Sequence, residues 1–401
     1  MRRKLLIITA IMCLMVSLIS CAKPKTNNTT KADTESKKET VKESEVATKE
    51  TQAPTKAFTP TEIDIVMIGD MLLHENVHDS GKSSDGTYNY DHLFTYIKDD
   101  VKAADLAMVN EEVILGGVEL GLTGYPMFNG AYEIGDALYE AGFNVCLQAT
   151  NHTIDKGKTG VLNNIKFWKE KHPDMAYLGI NETKEEQDTK LYVYEKNGVR
   201  VSVLNYTYGT NGIPLPSDMP YIVNLLDKDK VAADIKRAKE NSDFVIVAPH
   251  WGTEYVYKET DYQREWAQFF LENGVDLVIG THPHVIEPVE WLTDSKGHKM
   301  LVYYSIGNYV SGQDQAGTMV GAMATVKLTN DENGDVYIKD YGVVPLVTHK
   351  ERGYKKLAVY KLKDYTDELV ARNYICGQDG RFSLKFCKDL CKQVFGELYV
   401  E

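Results

Sequence analysis

Residues 243–252 read DFVIVAPHWG and residues 276–284 read DLVIGTHPH. Each is a short apolar run, rich in β-branched residues, that ends on histidine. Runs of this length, apolar on both faces, indicate buried β-strands rather than amphipathic helices. Three more stretches share the pattern: IDIVMIGD (63–70), DLAMVNEE (105–112) and NVCLQATNH (144–152). Parallel strands that end along one edge bring such terminal residues into one cleft, however far apart they lie in the chain. Those residues are Asp70, Glu111 with Glu112, Asn151 with His152, His250, and His282 with His284. Carboxylates, a carboxamide and imidazoles in one cleft predict a metal site.

Each residue also has a plainer reading. Asp70 alone would suit a turn or a helix N-cap, but a buried carboxylate at a strand end is costly without a partner. Strand alternation does not decide between Glu111 and Glu112, either of which could bridge two cations. His152 is a candidate to protonate a leaving group. Asp155, three residues on, would orient His152 or cap the following helix. His250 alone could be a satisfied core residue. His282 and His284 flank Pro283 and point the same way if the segment is extended. Glu254 and Tyr255 could line the pocket or bond a substrate, Asn308 could enter the cleft or occupy a turn, and His74 could ligate if the turn after Asp70 is helical.

Beyond these motifs the 401-residue chain is acidic, with 45 Lys and Arg against 58 Asp and Glu and a net charge of −13. That balance argues against general binding of nucleic acid or anionic membrane. The apolar content of 43% is enough for a real core. Arg2-Arg3-Lys4 followed by an apolar run to Ile19 is the layout of a signal peptide. Cys21 after Leu18-Ile19-Ser20 resembles a lipoprotein lipobox. Its acylation would hold the chain by lipid at the extracytoplasmic face of the cell membrane. The expected organisation is a signal peptide over 1–20, a polar tether over 21–60, a domain over 61–350 and a helical extension over 351–401 packed on that domain. The tether is rich in Lys, Thr, Glu and Ser, too polar to bury the surface that ordering requires.

Helical and strand patterns alternate to about residue 280, and strands prevail afterwards, which fits a layered α/β domain with two sheets face to face. Asn197-Gly198 and Asn333-Gly334 mark hairpin turns. A Gly-rich loop over 116–129 is expected above the cleft. The long stretch 207–223, with Pro214, Pro216 and Pro220, is expected to shape the pocket. An exported chain permits a disulfide from Cys376 to Cys387 or Cys391.

Six pieces, in this order, carry a family resemblance: Gly69-Asp70, Asn110-Glu111-Glu112, Asn151-His152-Thr153-Ile154-Asp155 with Gly157, His250-Trp251-Gly252-Thr253-Glu254-Tyr255, Gly280-Thr281-His282-Pro283-His284 and Tyr304-Ser305-Ile306-Gly307-Asn308-Tyr309. Together they resemble the bacterial poly-γ-glutamate capsule proteins of the CapA (PgsA) type, which are related to calcineurin-like metallophosphoesterases. The resemblance implies a four-layer α/β/β/α sandwich of the metallophosphoesterase type. It implies one or two divalent cations (Mn, Zn or Fe) held by Asp70, Glu112, Asn151, His250, His282 and His284, and it selects Glu112 over Glu111. His152 would match the acid histidine. The chain departs from the general pattern at Leu72, where a ligand would stand, and at Glu112, which replaces an Asp; His74 is the candidate to compensate. The implied role is capsule biosynthesis or export beside a poly-γ-glutamate synthase membrane complex. Two readings of that role stay open: metal-dependent hydrolysis of a phosphoester or γ-glutamyl amide, and a non-catalytic polymer-binding or assembly part with a vestigial site.

Overall fold

The computed structural model describes residues 58–353 and 356–400; the expected signal peptide, Cys21 and almost all of the tether lie outside them. Strand β1 (Glu62–Met71) shows how the layers arise. Ile63, Ile65 and Met67 enter one core and Val66 and Ile68 enter another. That is the two-residue period of a strand buried on both faces.

Eight strands build the first sheet. Its order is β14 (Ala358–Lys361), β13 (Val336–His349), β12 (Val320–Asn330), β1, β2 (Leu106–Glu111), β3 (Val145–Leu147) and β4 (Ala176–Leu178), with β11 (Asn308–Val310) against the end of β1. The second sheet runs β5 (Tyr192–Lys196), β6 (Val199–Thr207), β7 (Phe244–His250), β8 (Leu277–Ile279), β10 (Lys299–Tyr303) and β9 (Val289–Thr293). Strands β1 to β4 are mutually parallel, as are β6, β7, β8 and β10. Within each sheet their C-terminal ends therefore lie along one edge.

Three apolar cores separate four layers. Outside the first sheet, Val66, Ile68, Ala107 and Val109 pack with helices α1 (Glu75–Gly81), α2 (Lys98–Ala103), α3 (Tyr132–Ala141) and α4 (Gly157–Lys171) through Val77, Val101, Leu138 and Trp168. Between the sheets, Met67, Met108 and Leu147 meet Val203, Ile246 and Ile279. Outside the second sheet, Tyr206, Val245 and Val247 pack on α6 (Lys228–Asn241) and α7 (Asp261–Glu272) through Ile235, Trp266 and Phe270. The result is an α/β/β/α sandwich. Short α5 (Lys184–Thr189) buries no residue. After α8 (Asp367–Arg372), helix α9 (Leu384–Phe395) adds Cys387, Leu390, Cys391 and Phe395 to the inter-sheet core.

Several expectations change in detail. The apolar run 144–152 is paired as a strand only from Val145 to Leu147. Among the strands expected after residue 280, β13 is a single long one that stays paired with β12 across a bulge. The segment 351–401 is not wholly helical, since it opens with β14 on the edge of the first sheet. Cys376, Cys387 and Cys391 are free thiols, so the permitted disulfide is not formed. The Asn197-Gly198 turn has φ of 50° and 84°, the left-handed pair that a two-residue hairpin requires.

Candidate metal centre

The strand-end residues converge where the two sheets meet. Asp70 is the penultimate residue of β1, and its neighbours across the sheet are Asn110, penultimate in β2, and Asn308 in β11. Glu112 follows β2 directly, His250 closes β7, and His282 and His284 follow β8. All five proposed acidic and imidazole ligands are buried. Two triads lie with donor atoms within 4.8 Å of one another: Asp70, Glu112 and His250, and Glu112, His282 and His284. Glu112 belongs to both. Its Oε1 stands 3.6 Å from His250 Nε2 and 3.8 Å from His284 Nε2. Asn151 joins the set through Oδ1, 2.9 Å from His250 Nε2.

Around the triads, neighbours fix the donors. His284 Nδ1 lies 3.0 Å from Asp70 Oδ2 and 3.1 Å from Asn308 Oδ1. Both oxygens accept, so the proton sits on Nδ1 and Nε2 keeps its lone pair. Asn110 Nδ2 donates to Asp70 Oδ1 at 2.9 Å, and His250 Nδ1 meets Thr281 Oγ1 at 3.0 Å. The histidine pair does not follow strand alternation as expected. His282 and His284 have φ of 99° and 60°, and the chain bends at Pro283 between them. The His282 N–H donates to the Asp70 carboxylate at 3.2 and 3.3 Å, which helps to hold a backbone shape that non-glycine residues rarely adopt.

The donor set fits a cation. Neither carboxylate oxygen of Glu112 has a hydrogen-bond partner, nor has His282 Nδ1, and all three atoms are buried. Orphaned buried polar atoms are rare in native folds and call for a partner such as an ion. Burial first, then the Asp70 charge, pushes the Glu112 carboxyl well above its ordinary range. Burial first, then the neighbouring imidazoles, pulls His250 and His282 well below theirs. A cation would stabilise the charged carboxylate and the neutral imidazoles together.

His152 stands at the rim of this cluster. Its Nδ1 donates to Asp155 Oδ2 at 2.7 Å, and the same oxygen accepts from the Phe128 N–H at 2.8 Å. Asp155 is therefore an orienting partner and not a helix cap; the N-cap of α4 is Lys156. Asn211 lies between Asn151 and the His152 ring. Its Oδ1 accepts from Asn151 Nδ2 at 3.2 Å, and its Nδ2 lies 3.4 Å from His152 Nδ1. Its φ is 51°, a left-handed shape that Asn tolerates better than most residues. The supporting roles of Asn211, Asn110 and Thr281 do not follow from the sequence. The proline-rich loop that carries Asn211 is a signal, but loop composition does not say which side chain reaches inward.

The remaining candidates separate. Asn308 lies in the cleft and supports His284, with its Nδ2 donating to Ser311, Gln313 and Thr318. Tyr255 and Glu254 are exposed at the mouth. His74 belongs to neither triad, because the backbone after Asp70 stays in β1 through Met71 and the next helix begins only at Glu75. Burial holds the His74 imidazole neutral, down to about 4, and its Nδ1 accepts the Gly312 N–H at 3.1 Å. Leu72 is buried in the outer core and offers no ligand. Glu111 is buried beside the cluster but stands outside both triads.

The profile of the family described as "Bacterial capsule synthesis protein PGA_cap" matches residues 64–313. The "Capsule biosynthesis protein CapA" of Bacillus anthracis is 30% identical over 311 residues, covering 74% of this chain and 70% of the relative. The "PGA biosynthesis protein CapA" of Bacillus subtilis (strain 168) is 27% identical over 214 residues, 53% of each chain. Among solved structures, a 5′-nucleotidase precursor from Thermus thermophilus aligns over 72% of this chain and 54% of its own, at 15% identity and a TM-score of 0.44. The layer order described above rests on this chain's own strands.

Proposed function

The chain belongs to the bacterial capsule synthesis protein family PGA_cap, and on that premise we propose that it is a capsule-biosynthesis protein acting as a divalent-metal-dependent hydrolase. Its substrate class in this reading is a phosphoester, and its place is the outer face of the cell membrane, held by lipid on Cys21. Its partner there is the membrane complex that makes or exports poly-γ-glutamate. The observation that carries the catalytic reading is the Glu112 carboxylate, buried, unpartnered and common to two ligand triads.

Asp70, Glu112, His250 and Asn151 would hold one cation, and Glu112, His282 and His284 a second. Bound there, such ions supply Lewis acidity toward a phosphoryl oxygen and lower the pKa of water. The chain's own residues do the rest. Asp155 keeps the His152 proton on Nδ1 and fixes the ring's orientation, which leaves Nε2 to carry a proton toward a leaving-group oxygen. Asn211 packs against that ring and accepts a hydrogen bond from Asn151.

The test is turnover of glycerol 3-phosphate, whose alkoxide leaving group needs a proton, by the Mn²⁺-loaded mature chain and by His152→Ala. Loss of a general acid costs about 10²- to 10⁴-fold, so the variant should fall by that factor while its metal content is unchanged. A specific observation favours a second reading, a non-catalytic assembly part: Leu72 places an apolar side chain where the wider pattern has a ligand. Absence of turnover on any phosphoester, with no capsule defect in a His152→Ala strain, would favour that reading.

A further inference from the structure

Three exposed tyrosines from three separate loops stand around the candidate metal centre. Tyr208 follows β6, and its ring centroid lies 4.6 Å from that of His282. Tyr255 follows β7, with its ring 6.0 Å from His284. Tyr125 lies in the loop before α3 and meets Phe128 edge-on at 6.4 Å; Phe128 in turn meets His152 edge-on at 4.7 Å. Their exposures are 72% for Tyr125 and 40% each for Tyr208 and Tyr255. Grouped, exposed aromatic surface beside a buried polar cluster is a mark of ligand contact.

The backbone aims two of these rings. The Tyr208 N–H donates to the His250 carbonyl at 3.0 Å, and the Tyr255 N–H donates to the Pro283 carbonyl at 2.8 Å. Each ring is thus referenced to a segment that carries a candidate ligand. Tyr255 holds φ at 66°, a left-handed shape uncommon for a bulky residue. Strain of this kind persists where the surrounding structure fixes a side chain for use. The Tyr255 hydroxyl accepts from Gln313 Nε2 at 3.2 Å, which ties it to the loop after β11.

Resting on the phosphoester reading above, we propose that Tyr125, Tyr208 and Tyr255 form an aromatic collar that grips the organic part of the substrate through a flat ring face. The preferred phosphoesters then carry a ring beside the phosphate instead of an open chain. Aromatic rings stack on other π faces, and the C–H face of a sugar ring is apolar enough to pack there too.

Phenylphosphonate and methylphosphonate, which are not hydrolysed, separate binding from chemistry. Calorimetric titration of the Mn²⁺-loaded full chain should show phenylphosphonate about tenfold tighter or better, the size of a single ring contact. Tyr208→Leu and Tyr125→Leu should bring that ratio close to one, and Tyr208→Phe should keep it. Equal affinities, a ratio unmoved in both Leu variants, or no binding of either probe overturns the collar. Competition by glucose 6-phosphate and by adenosine 5′-monophosphate, each compared with glycerol 3-phosphate, tells a sugar face from an aromatic base; if neither outcompetes glycerol 3-phosphate, the collar is again overturned. Selective binding without turnover of any phosphoester would sink the hydrolase reading and leave the collar standing. Equal kcat/KM for benzyl phosphate and ethyl phosphate, whose leaving alcohols are matched in acidity, would do the reverse.

Discussion

Glu287 stands three residues beyond His284, buried behind the histidine bend. Its Oε2 accepts from Gln263 Nε2 at 2.6 Å, while Oε1 has no partner. Burial pushes its carboxyl up to about 8. The folded chain then binds a proton that the unfolded chain has released above its ordinary 4.5. This contribution to stability is complete below about pH 4.5 and is lost as pH rises through about 8. Glu287→Gln should be more stable relative to the parent at pH 8.5 than at pH 5, as read by thermal melts at both values; equal differences would show that Glu287 does not titrate in this window. At the same scale, the chain itself announced Asp70, Asn151, His250, His282 and His284, because polar residues at the ends of apolar runs are conspicuous. It did not announce Glu112 over Glu111, since alternation fails where a strand stops. Only the resemblance favoured Glu112, and the geometry places that side chain, not Glu111, in both triads. The supporting roles of Asn211 and Thr281 were not legible, because neither the proline-rich loop around the one nor the motif around the other says what the side chain meets.

Among the elements, strand ends position the site through close backbone approaches. The Asp70 N–H donates to the Gly307 carbonyl at 3.0 Å, and a Cβ at Gly69 would stand 1.8 Å from that same oxygen. No side chain fits there unless β1 and β11 separate. Gly69→Ala should therefore destabilise the chain by about 1–3 kcal/mol or more, the range for overpacking a tight interior, and should weaken metal binding as Asp70 moves. Gly380→Ala, where a Cβ meets nothing within 4 Å, is the control, expected within about 0.5 kcal/mol of the parent. Denaturant melts of both variants check this; equal stabilities would contradict it. Element type was legible wherever apolar period and turn chemistry agreed, as in the two Asn-Gly hairpins. It failed where pairing depends on a distant partner. Strand β14 has only four residues and exists because β13 offers it an edge. The histidine bend also escaped, because its backbone shape is held by the Asp70 carboxylate, 212 residues away.

For the whole molecule, the layer order follows from three cores that the alternating strands divide between them. Two sheets with helices outside could be read from the order of runs. Which strand lies beside which could not, because parallel pairing joins segments separated by whole helices. The expected amino-terminal leader and Cys21 lie outside the described residues, and the proposed anchoring is tested in cells. Cys21→Ser should shift the protein from the membrane fraction to the medium or to an unprocessed precursor, as followed by fractionation and immunoblot. Unchanged membrane association with normal processing would count against a lipid on Cys21. The anchor and the site are independent claims, so this result leaves the chemistry untouched.

If two cations share Glu112, the metal complement of the chain depends on that one carboxylate. Elemental analysis of the purified mature chain after equilibration with Mn²⁺ tests it directly. The parent should hold close to two equivalents, His282→Ala should lose one, and Glu112→Ala should lose both while still folding. A parent that holds none, or a Glu112→Ala variant that keeps the full complement, would contradict the account.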